Sequence, residues 1–146
     1  CSKAKSILPL DLFIYEYRIG DVTQSVSAEN QLKRIGHTET VLKRMTAEGK
    51  SFTGAAALYC AKKTHLLLLS FLVTSLLCDK DRKAGRKRAD EMMDFMDKEY
   101  HIVYEMSKKH CKILKTLNRL HIGLNGYNRI LNSKLYNKVR HNKSFE

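Results

Sequence analysis

Apolar side chains recur along this chain at spacings of three and four, and almost nowhere alternate as they would in a half-buried strand. Over residues 10–26, Leu10, Phe13, Ile14 and Tyr17 stand at i, i+3, i+4 and i+7, while Leu12, Tyr15 and Ile19 cover a second side, which predicts a largely buried first helix. A second helix is predicted over 28–48, with Leu32, Ile35, Leu42 and Met45 on its apolar line and Lys33, Arg34, Lys43 and Arg44 off it. Ser27 suits its N-cap and Gly49 its stop. Residues 53–84 read as one long third helix, about 45 Å if unbroken, opened by Ser51 or Thr53 and ended at Gly85.

Beyond Gly85 the pattern resumes over 89–107, where Met92, Phe95, Met96, Tyr100 and Val103 are expected to point inward and Asp90, Glu91 and Asp94 suit the helix start. It continues over 108–122, with a bend expected near Ser107. Here Ile113, Leu117, Leu120 and Leu124 form one line, and Lys108, Lys112, Lys115 and Arg119 form another. The two are offset by five residues, about 140° around a helix. Gly123, Asn125 and Gly126 predict a turn, then a short helix over 127–140 with Ile130, Leu131, Leu135 and Val139 apolar, and a flexible basic end at 141–146. The expected fold is all-α: one domain spanning 1–146, an up-and-down bundle of about five helices. Seven Gly and a single Pro leave little for the tight turns of a β-rich fold.

Charge changes the picture next. The chain has 27 Lys and Arg against 15 Asp and Glu, a formal net charge of +12, which suits an anionic partner. The densest cluster is Lys80, Arg82, Lys83, Arg86, Lys87 and Arg88; Lys62, Lys63, Lys134, Lys138 and Arg140 add to the same surplus. Acids gather at Asp90, Glu91, Asp94, Asp97 and Glu99. Alone, the line Lys108, Lys112, Lys115 and Arg119 would read as a solvated helix face. Together these cations read as contact residues for a membrane or another anionic partner.

The stretch 66–78 holds 13 uncharged residues. A spanning helix needs about 20, so the stretch predicts a core helix. A sharper reading leaves part of it, with Leu66, Leu67, Leu69, Phe71, Leu72 and Leu76, as a surface patch beside the cations, an arrangement that binds acidic bilayers.

Candidate chemistry adds little. Neither a nucleophile elbow nor a phosphate loop is present, and the six His never fall at i, i+4, so neither catalysis, a metal nor a cofactor is expected. Nucleic acid is disfavoured too, because Trp is absent and Phe and Tyr do not interleave with Arg. No small-molecule substrate is expected. Cys1, Cys60, Cys78 and Cys111 allow up to two disulfides in three connectivities, or buried free thiols. Cys60 and Cys78, if on one helix, would lie roughly 27 Å apart and could not pair. A chain that opens on Cys rather than Met is expected to be a secreted chain after leader cleavage. Asn142-Lys143-Ser144 is a formal glycosylation triplet.

Two stretches resemble a known family. Gly49-Lys50-Ser51-Phe52-Thr53 followed by Ala57-Leu58-Tyr59-Cys60-Ala61-Lys62-Lys63 is similar to the opening of the long central helix of the abalone sperm lysin family. Gly85-Arg86-Lys87-Arg88 through Asp94-Phe95-Met96-Asp97-Lys98 resembles a later helix of that family. The absence of Trp, the four Cys and the less interrupted apolar run place the chain nearer the fusagenic acrosomal paralogues than the lysins proper. The resemblance implies a five-helix bundle released from the acrosomal vesicle, with no enzymatic activity. It implies a secreted sperm protein, a monomer or weak dimer, that binds and destabilises membranes in sperm–egg fusion. The alternative is lysin-like dissolution of the egg vitelline envelope through an egg-surface glycoprotein. Size, helices and secretion alone would also fit a helical cytokine. Lys62, Lys63, Arg86, Lys87 and Arg88 match the family's basic tracks.

Overall fold

A computed structural model describes residues 28–132. The expected first helix over 10–26, Cys1, the end of the last helix, the basic residues Lys134, Lys138 and Arg140, and the 141–146 end lie outside the described residues. Helices cover Ala28–Lys33 (α1), Ile35–Gly49 (α2), Gly54–Val73 (α3), Arg82–Glu99 (α4), His101–Arg119 (α5) and Leu124–Leu131 (α6), and a π-helical turn, Thr74–Cys78, extends α3. No strand occurs among the described residues.

Side-chain pairings fix the directions. Cys60 donates to the Met45 carbonyl at 3.9 Å and Thr74 to Gln31 at 3.2 Å, so α3 runs antiparallel to the α1–α2 arm. Arg86 reaches Asn118, and Lys115 pairs with Asp90, so α4 and α5 are antiparallel. His65 meets Ser107 at 2.8 Å and Asn118 meets the Leu76 carbonyl at 2.6 Å, which makes α3 and α5 a parallel pair in constant register. The path is compatible with the expected up-and-down bundle, with six helices among the described residues where about five were expected for the chain.

The core is built from Leu42 of α2, Ala61, Leu68, Phe71 and Leu72 of α3, Leu76 and Leu77 of the π turn, Ala89, Met92, Met93 and Met96 of α4, and Val103, Cys111 and Leu114 of α5. Several element boundaries differ from expectation. Helix α6 begins at Leu124 and not at 127, so Asn125 and Gly126, expected in a turn, lie inside a helix. The second helix is split at Arg34, whose φ of −100° and ψ of 10° depart from helix. The third helix does not run to 84. It loosens through the π turn, and Asp79 is extended at ψ 127°. Asp81 then caps α4, accepting from the Lys83 and Ala84 amides at 3.0 Å.

Gly85 is therefore not a stop. It lies buried inside α4, where a side-chain carbon would sit 2.1 Å from the Ser75 carbonyl oxygen. The glycine is what allows α4 to cross directly over the π turn. The bend expected at Ser107 occurs instead at Tyr100, whose φ of −151° and ψ of 63° separate α4 from α5. Ser107 is buried in mid-helix.

Candidate functional site

Half of the expected apolar patch belongs to the core. Phe71, Leu72 and Leu76 are buried, because they face α2, α4 and α5 and not solvent. Leu66 is 58% exposed, and Leu67 and Leu69 are half-buried. The helix Gly54–Cys78, with 25 residues, is long and apolar enough to cross a membrane by length and composition, yet its inner side is this bundle's core.

The inward line of α5 also differs. Val103, Ser107, Cys111, Leu114 and Asn118 face the core, one helical step away from the line Ile113, Leu117, Leu120 and Leu124. Ile113 is 49% and Leu120 65% exposed. At 100° per residue, Ile102, Met106, Ile113, Leu117 and Leu120 share an arc of about 60° on α5, bordered by His110. On α3, Leu58, Leu66, Leu69 and Val73 share an arc of about 80°, bordered by His65. The rings of His65 and His110 lie 5.9 Å apart, so the two arcs meet across the parallel seam and form one apolar face.

Lys109 borders the α5 arc and Lys62 stands within the α3 arc, whereas Lys112, Arg119, Lys108 and Lys115 lie about 80–140° round α5 from Ile102. Helices α3 and α5 together carry seven Lys and Arg and one carboxylate, Glu105. Glu105 is engaged by Lys108 at 2.7 Å, a bond that raises the lysine's pKa and holds it charged. Lys62, Lys109, Lys112 and Arg119 are exposed and make no ion pair among the described residues. Lys63 lies 5.4 Å over the Tyr59 ring.

Several expected contact residues serve the fold instead. Arg82 donates to the Asn118 carbonyl at 3.1 Å and the His121 carbonyl at 3.3 Å, which closes the C-terminus of α5. Arg86 donates to the Asn118 side chain at 3.1 Å, and Arg88 pairs with Asp79 at 3.0 Å. Lys115 is drawn to Asp90 of α4. The 80–88 cluster therefore presents Lys80, Lys83 and Lys87, the last 3.9 Å from Glu91. For Arg82 and Arg86 no acidic spacing signals this, because Asn118, the partner they share, is neutral.

The remaining chemistry is sparse. No group of three or more metal-ligating side chains occurs among the described residues. Cys60, Cys78 and Cys111 are free thiols, and burial raises the pKa of Cys78 and Cys111. The His65–Ser107 pair has the make-up of an activated hydroxyl, but Ser107 is fully buried and out of a substrate's reach. A cavity lined by Gln31, Arg34, Ile35, Thr38, Ser70, Phe71 and Thr74 holds about 140 Å³, below the roughly 300 Å³ from which small-molecule sites begin. No family model, curated protein or solved structure matches this chain.

Proposed function

We propose that this protein binds and destabilises anionic membranes through the α3/α5 face, without enzymatic chemistry. The observation that carries this reading is the coincidence, on one pair of parallel helices, of half-exposed Leu58, Leu66, Ile102, Ile113 and Leu120 with Lys62, Lys63, Lys109, Lys112 and Arg119, which no carboxylate engages among the described residues. Each lysine or arginine near an acidic lipid surface contributes about 1 kcal/mol. Each half-exposed Leu or Ile that enters the interface adds about 1 kcal/mol more. Charge brings the face down and the apolar side chains hold it there. With the resemblance to the lysin family, the setting we propose is a secreted acrosomal protein that promotes fusion of sperm and egg membranes.

The test is flotation with vesicles of phosphatidylcholine alone and with added phosphatidylglycerol, at low and high salt, alongside dye leakage and lipid mixing. Binding confined to the acidic vesicles, lost in high salt and accompanied by leakage, is expected. The double substitution Leu66→Glu with Ile113→Glu falls on exposed positions, so it should leave helix content unchanged and remove binding. No binding to acidic vesicles at low salt would overturn the proposal. Saturable, dose-dependent binding to isolated egg coat in its place would favour the glycoprotein alternative.

A further inference from the structure

His65 and His110 stand where the two apolar arcs meet. Their rings are 5.9 Å apart and tilted at 57°. The Nδ1 atom of His65 is hydrogen-bonded to the Ser107 hydroxyl at 2.8 Å, which fixes the ring against the seam. His110 is exposed on the outer side of α5.

The charges around the pair share one sign. On α3 the ionisable neighbours within a turn are Lys62 and Lys63; on α5 they are Lys108, Lys109, Lys112 and the Cys111 thiol, whose pKa burial raises. Glu105, the one carboxylate of the two helices, is taken by Lys108 and also lies 3.8 Å from His101. The charges of α2, which packs on the far side of α3, are Glu39 and Lys43, paired at 2.6 Å, and Arg44 with Glu48 at 3.7 Å. On α4, Asp90 pairs with Lys115, Asp97 with His101, Glu99 with Lys50, and Glu91 lies 3.9 Å from Lys87. Asp94, Lys98 and the 82–88 cations lie on that same helix, beyond the far flank of α5. No carboxylate is therefore paired with either histidine. In keeping with this, the pKa of His65 lies below its ordinary value, because burial disfavours its cation and His110 repels it.

We propose that the His65–His110 pair makes membrane contact acid-responsive: proton uptake at the pair is coupled to an anionic phospholipid, which supplies the counter-charge the protein withholds. The inference rests on the membrane reading above. The sign follows from the surroundings. In the free protein burial, and then repulsion from His110, favour the neutral form of His65. A lipid phosphodiester beside it favours the imidazolium, so binding takes up protons and strengthens as pH falls. Each added charge at an acidic surface is worth about fivefold in partitioning, and the pair up to about 30-fold.

The experiment measures partitioning onto phosphatidylcholine/phosphatidylglycerol vesicles at about pH 7.5 and about pH 5, a range over which the phosphodiester charge is constant. The wild-type chain should bind up to about 30-fold more tightly at the lower pH. His65→Gln with His110→Gln should lose most of that rise. His110→Gln alone, on an exposed side chain that leaves the Ser107 bond intact, should lose about fivefold. His37→Gln with His121→Gln, away from the seam, should keep the wild-type rise. Binding that rises equally in the wild type and the seam variants removes this inference and leaves the membrane reading standing. No binding by the wild type at either pH removes both.

Discussion

The close crossing of α4 over the π turn makes a prediction that opposes helix propensity. Replacing Gly85 by Ala adds a side-chain carbon 2.1 Å from the Ser75 carbonyl oxygen, against 3.4 Å for an ordinary contact. The obstacle is backbone, so no side-chain rotation relieves it. Helix α4 would have to lift by about 1.3 Å, the difference between those distances. Overpacking on this scale costs about 1–3 kcal/mol. The lift also strains the bonds from Arg82 and Arg86 to Asn118, both at 3.1 Å, for about 1 kcal/mol each. Against this stands a gain of about 1 kcal/mol for Ala over Gly in a helix interior. The net loss is about 3 kcal/mol, or about 10 °C in Tm for a chain of this length. Gly36→Ala in α2 is the matched control. No atom lies within 4 Å of its added carbon, so it should gain up to about 1 kcal/mol. Differential scanning calorimetry of both variants decides the matter. If Gly85→Ala is as stable as Gly36→Ala, the crossing is not as close as described and the reasoning fails.

Other expectations follow from the same region and from the thiols. Asn118→Leu should cost about 3 kcal/mol in urea unfolding, because it orphans both the Leu76 carbonyl and the Arg86 guanidinium; a loss under 1 kcal/mol would mean that water replaces the amide. Cys111 is buried and its thiol pKa is raised, so iodoacetamide near neutral pH should modify it only after denaturation. Mass spectrometry of the native, alkylated chain checks this, and rapid native labelling at Cys111 would show that the seam opens.

Much of the helix content was legible because apolar spacing reports which residues cannot face water. Leu42, Met92, Met96 and Val103 took the inward places their period assigned. The errors have physical causes. In sequence the 80–88 cluster reads as one contact patch, since sequence shows charge but not the neutral Asn118 that gathers Arg82 and Arg86. Gly85 looked like a terminator because a glycine needed for close approach is indistinguishable in sequence from one needed for a turn. On α5, two apolar lines run side by side, Val103/Cys111/Leu114 and Ile113/Leu117/Leu120. The more regular line is outward at Ile113 and Leu120, while its Leu117 is half-buried against the core; small polar Ser107 and Asn118 interrupt the inner line. Those two residues bond to His65 and Leu76, so polarity at a core position is satisfied by partners the sequence does not reveal. The same exchange exposed Ile113 and Leu120 and created the candidate face.

The gathering of acids on one half of α4 has a consequence before any contact is made. Cations dominate α3, α5 and the first half of α4, whereas Asp90, Glu91, Asp94, Asp97 and Glu99 stand together on its second half. Among the described helices charge is therefore unevenly placed as well as positive in sum. Near an acidic surface the molecule experiences a torque as well as an attraction, acting over about a Debye length, roughly 10 Å at 0.1 M salt. It would turn the acidic 90–99 stretch away from the surface before touching it, so arrival is already oriented and fewer encounters are wasted. Salt should accordingly slow the arrival of correctly facing molecules more than it speeds the departure of those whose apolar side chains have entered.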